Sequence, residues 1–67
     1  MKYRVELIMD KQVVISKEFE DYDEAYNYSN ELIKKLDEDS EIIVSEKKEK
    51  GWKVFRKLNI QWKKDTD

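Results

Sequence analysis

The apolar residues of this chain change their spacing twice, and that change constrains the fold more than any motif. From Tyr3 to Met9 every second residue is apolar. Tyr3, Val5, Leu7 and Met9 fall on one side, with Lys2, Arg4, Glu6 and Ile8 on the other. A period of two marks a half-buried strand. A second run, Val13 to Phe19, sets Val13, Ile15, Lys17 and Phe19 on one face. A three-residue loop, Asp10-Lys11-Gln12, pairs Met9 with Val13, Leu7 with Ile15, Val5 with Lys17 and Tyr3 with Phe19. A two-residue loop sets Leu7 against Val14 instead. Because a one-residue slip turns side chains to the opposite face, apolar matching selects the longer loop. The loop has no Gly or Asn to fix its geometry locally.

From Tyr22 the spacing becomes three and four. Tyr22, Ala25, Tyr26, Ser29, Leu32, Ile33 and Leu36 form one stripe of a helix over residues 22–37. Asp21 is a suitable N-cap, and Glu24 stands at the capping-box distance. Asp23 and Glu24 near the start, and Lys34 and Lys35 near the end, suit the helix dipole. The period then returns to two. Residues 41–48 place Ile42 and Val44 together, and residues 52–62 place Trp52, Val54, Leu58, Ile60 and Trp62 together, with Arg56 interrupting the row. Glu49-Lys50-Gly51 closes this hairpin, with Gly51 supplying a positive φ at little steric cost. That loop pairs Lys48 with Trp52, Val44 with Arg56 and Ile42 with Leu58. Trp62 then overhangs its partner strand.

The expected fold is therefore α+β with element order ββαββ: one four-stranded, mainly antiparallel sheet and one helix packed on one face. Residues 1–62 make a single domain, and residues 63–67 are expected to fray. Strand order is not legible.

Composition narrows function by exclusion. The chain has no cysteine and no histidine, so thiol nucleophiles, sulfur-ligated metals and imidazole proton transfer are all missing. A single glycine leaves no phosphate-cradling loop. The serines, lysines and tyrosines have no histidine to activate them, so no catalytic residue and no cofactor is expected. Two acidic runs offer hard oxygen ligands: Asp37, Glu38, Asp39 and Glu41, or Glu18, Glu20, Asp21 and Asp23. Neither has EF-hand spacing, so solvated helix ends are the better account and no metal is expected. No apolar run approaches the ~20 residues of a membrane span, and Met1 to Glu6 does not look like a signal peptide. A cytoplasmic location follows as an expectation.

The distribution of charge is more informative than the net −2. Residues 1–40 carry six bases and eleven acids, whereas residues 41–67 carry eight bases and five acids. In the expected register the last strand shows Lys53, Phe55, Lys57, Asn59, Gln61 and Lys63 on the face away from the helix. A basic sheet surface with an exposed ring suits single-stranded nucleic acid, where cations track phosphates and a ring stacks a base. The same layout is also an ordinary way of keeping a strand soluble. Mimicry of nucleic acid by the acids from Glu18 to Glu24 needs a larger negative field than this chain carries.

Protein contact has the better case. Ile43, Phe55, Ile8 and Val14 all fall on faces away from the expected helix, and Trp62 stands on an overhanging edge. Tyr22 and Tyr26 lie on the Leu32–Leu36 side and belong to the core, while Tyr28 points elsewhere and is expected to be exposed. Snorkelling explains Lys17 and Arg56 within apolar rows. The functional expectation is a non-catalytic protein-binding module acting through Lys53, Phe55, Lys57, Lys63, Ile43, Trp62 or Tyr28. Self-association through the last strand is one form of it. Twelve of the fourteen bases are lysine and proline is absent, which hints at an AT-rich bacterial or phage genome. An accessory protein that modulates a host protein fits that hint. Binding of single-stranded nucleic acid is the alternative.

Overall fold

A computed structural model describes residues 2–36 and 38–61. Its elements are β1 (Tyr3–Met9), β2 (Gln12–Phe19), α1 (Tyr22–Lys35), β3 (Ser40–Lys48) and β4 (Gly51–Ile60). The four strands form one antiparallel sheet in the order β2-β1-β3-β4, with the helix on one face. The expected ββαββ fold is the observed one.

Since β1 is antiparallel to both β2 and β3, those two strands run parallel, and α1 is the crossover between them. The helix therefore has to pass over β1. It packs on β1, β2 and β3, and β4 lies beyond it. Under the helix Val5, Ile42 and Val44 are fully buried and Leu7 nearly so, meeting Ala25, Ser29 and Leu32 from above. Burying each of the larger aliphatic chains contributes about 1.5–3 kcal/mol. The two inner strands are the ones whose helix-facing rows are wholly apolar at the centre. Both outer strands carry lysine in theirs or beside it, as edges commonly do.

Both hairpins depart from the expected pairing in the same way. In the first, Tyr3↔Phe19, Val5↔Lys17 and Leu7↔Ile15 hold as expected, but Ile8 pairs with Val13 and Met9 with Gln12. The loop is thus only two residues, Asp10 and Lys11, with φ of 54° and 63°. Two consecutive positive φ values are the signature of a type I′ turn, whose twist matches that of the strands. Val14 is the extra residue of a β-bulge, and the bulge absorbs the one-residue difference. A tight turn and a matched apolar face were incompatible in a regular ladder; the bulge reconciles them. In the second hairpin Ser40↔Ile60, Ile42↔Leu58 and Val44↔Arg56 hold, whereas Ser45 pairs with Val54, Lys47 with Trp52 and Lys48 with Gly51. Phe55 is the extra residue there. Gly51 has φ of 129°, and an added Cβ would meet nothing within 4 Å, so conformation alone favours glycine.

The helix begins and ends more simply than expected. Asp21 makes no side-chain cap bond, so the capping box does not form, and the first turn is closed by the Ala25 amide donating to the Asp21 carbonyl at 3.2 Å. The last helical residue is Lys35, and Leu36 follows in extended conformation.

Lys11 is a non-glycine residue in the left-handed region, where an L side chain costs about 1–2 kcal/mol. Glycine removes that strain and adds about 0.5–1 kcal/mol of chain entropy to be lost on folding. Lys11→Gly should therefore stabilise the fold by about 0.5–1 kcal/mol in a urea titration. An unchanged or lowered midpoint would contradict the I′ turn.

Candidate functional site: an aromatic margin between the helix and the outer strand

The bulge decides where the side chains of β4 point. Phe55 and Arg56 stand together opposite Val44, and both face the helix. The Phe55 ring lies 5.2 Å from that of Tyr22 and 6.0 Å from that of Tyr3, and Tyr3 and Tyr22 are 5.8 Å apart. Tyr22 in turn stacks on Tyr26 at 5.9 Å. Four rings thus run along the margin where α1 overlooks β4. Their outer surfaces remain in water: Tyr22 is 44% exposed, Tyr26 37% and Phe55 37%.

Arg56 fastens this margin. Its Nη1 donates to Ser29 Oγ at 2.7 Å and to Asn30 Oδ1 at 3.1 Å, and the guanidinium lies 4.2 Å above the Tyr26 ring. Ser29 is fully buried and donates onward to the Tyr26 carbonyl at 2.7 Å. An arginine in an apolar row thus finds two neutral acceptors and a π face, which is more than snorkelling. Lys17 on the opposite edge does something similar, with Nζ 5.0 Å from the Tyr28 ring and 5.4 Å from that of Phe19.

These positions correct the expected surface. Phe55 faces the helix rather than open sheet. Lys53 pairs with Glu46 in the ladder, on the side that Tyr3 shares, so it too leaves the open face. Trp52 and Val54 move the other way. Trp52 lies on the face opposite the helix, beneath the Arg4 guanidinium at 4.3 Å, and is not tucked under α1. The physical cause is the single extra residue at Phe55, which reverses the alternation between it and the turn. Tyr22 and Tyr26 are exposed, whereas Tyr28 is half-buried against Phe19 at 5.2 Å, the reverse of the expected assignment. The centre of the helix stripe is Ala25–Ser29–Leu32, so Tyr28 flanks it over β2 and Tyr26 flanks it over the less covered β4 side.

Lys57 and Ile43 do occupy the open face, as neighbours in the ladder, and Ile8 is there too. That face is not a basic surface. Lys57 pairs with Glu41 at 3.4 Å, Arg4 with Glu6 at 3.5 Å and Lys2 with Glu18 at 3.8 Å. Trp62 and Lys63 lie outside the described residues.

Elsewhere, an open hollow of about 590 Å³ is lined by Met9, Asp10, Glu38 and Asp39. Among the described residues no group of three or more acidic, His or Cys side chains is placed to hold a metal ion, and no helix is long and apolar enough to cross a membrane. Comparison with protein-family models, curated proteins and solved structures finds no match to this chain.

The ring cluster was missed because it joins three separated stretches: Tyr3, Tyr22 with Tyr26, and Phe55. A sequence signal for it exists. On each outer strand two adjacent apolar residues, Val13-Val14 and Val54-Phe55, interrupt strict alternation, and each pair sits at a bulge.

If the Arg56 contacts hold the outer strand to the helix, Arg56→Met, which keeps most of the stem, should lower stability by about 1–3 kcal/mol. A double-mutant cycle with Ser29→Ala should show a coupling of about 1 kcal/mol. Additive losses would mean that the short bond contributes nothing.

Proposed function

We propose that this protein is a non-catalytic protein-interaction module and that its docking surface is the aromatic margin formed by Tyr22, Tyr26 and Phe55 beside β4. The observation that carries this reading is the contact of three rings, each more than a third exposed, next to an arginine. The largest contiguous apolar patch of a small protein is often its interaction surface. Tyrosine and arginine are also the residue types that dominate binding energy at protein interfaces. Centroid separations of 5.2–6.0 Å leave no gap between the rings for a cation, so the cluster suits contact with another surface rather than enclosure of a small ligand.

Charge favours protein over nucleic acid as the partner. Phosphate tracking needs several unpaired cations in a row. On the open sheet face Lys2, Arg4 and Lys57 are each engaged by a carboxylate. The margin itself has Arg56 turned inward to Ser29 and Asn30.

Affinity capture from the native cells, comparing wild type with a folded Tyr22→Ser/Tyr26→Ser variant, tests the reading. A protein should be retained by wild type and lost by the variant. A labelled single-stranded oligonucleotide should stay unbound even at about 50 mM salt, where phosphate contacts are strongest. Identical capture by both proteins, or salt-sensitive oligonucleotide binding, would overturn it.

A further inference from the structure

We infer that the partner docks as an extended acidic segment that adds a fifth strand to the β4 edge and seats its first apolar side chain on the ring cluster. The inference rests on the protein-binding reading above and specifies its partner. Among the described residues β4 is an edge of the sheet, so along its outer side every second residue directs its N–H and C=O away from β3. Beyond the bulge, Arg56 to Ile60 pairs with β3 in unbroken register, which leaves a regular outer edge for another strand. The bulge at Phe55 ends that stretch and places a ring at its end. Above it the helix margin offers Tyr22 and Tyr26. A segment of about five residues fits the ladder, and its apolar end then meets the rings. Main-chain bonds give affinity in this mode, and side-chain pockets give specificity.

The charge of the edge selects the segment. From Gly51 to Ile60 the strand carries three bases, Lys53, Arg56 and Lys57, and no acid. With Arg56 turned inward to Ser29 and Asn30 and Lys57 meeting Glu41 at 3.4 Å, the edge offers a net positive field rather than a row of unpaired cations. Two β4 edges carry the same net positive charge, which disfavours self-pairing and favours an acidic chain. The other edge, β2, carries one lysine and one glutamate and has no such preference.

The test uses the 15N-labelled protein and a synthetic peptide of alternating Glu and Val with one terminal Phe. A second peptide has alternate backbone amides N-methylated, which blocks strand addition and keeps every side chain. A third replaces Glu by Lys. The first peptide should shift the amides of Arg56–Ile60 and slow exchange of the outward-directed ones at least tenfold, and the other two should bind at least tenfold more weakly, about 1.4 kcal/mol. Lys53→Glu/Lys57→Glu, at two exposed positions, should reverse the preference toward the Lys peptide. Unchanged β4 amides with the first peptide, or equal binding of the N-methylated one, overturns strand addition. Shifts confined to Tyr22, Tyr26 and Phe55 would do so while leaving the protein-binding surface intact. Concentration-dependent dimerisation that protects β4 without peptide would assign the edge to a second copy instead.

Discussion

The crossover from β2 to β3 is the constraint on which the rest of the molecule depends. A helix with its side chains is about 10–12 Å across, whereas four strands about 4.8 Å apart present a face nearly twice as wide. One helix cannot cover four strands. Because α1 connects an outer strand to the third in line, passing over β1, the topology leaves β4 as the uncovered one. The hydrophobic stripe Ala25–Ser29–Leu32 sits over the inner strands, and its flanks differ: Tyr28 meets Phe19 on the covered side, and Tyr26 meets Arg56 on the bare side.

The residues of the two outer strands are fitted to that asymmetry. At matching distances from their bulges, β2 offers Ile15 to the helix and β4 offers Arg56. The isoleucine packs; the arginine reaches. Its two hydrogen bonds and its stacking on Tyr26 tie the helix to the outer strand, and the rings of Tyr22, Tyr26 and Phe55 stay partly in water. A domain this small has little burial to spare. The proposed docking role would give those three exposed rings a use.

The elements and the inner registers were legible because periodicity and burial agree there. Val5, Leu7, Ile42 and Val44 lie where alternation puts them, and the helix stripe centres on Ala25, Ser29 and Leu32. Strand order was not legible, since nothing local tells β1 and β3 that they are neighbours. The candidate surface was misplaced for a more specific reason. Period-two reasoning assumes an unbroken ladder, and one additional residue at Phe55 turned Phe55 and Lys53 toward the helix side and Trp52 and Val54 away from it. The same event at Val14 turned Val13 out of the expected helix-facing row to pair with Ile8 on the open face, while the apolar matches Leu7↔Ile15 and Tyr3↔Phe19 beyond it held.

The orientation of the Phe55 ring tests this account most directly. In an aromatic-resolved NOE spectrum, Phe55 ring protons should show cross-peaks to the rings of Tyr3 and Tyr22, and Trp52 ring protons to the Arg4 side chain. Cross-peaks from Phe55 to Ile43 and Ile8 instead would place it on the opposite face and remove both the bulge and the aromatic margin.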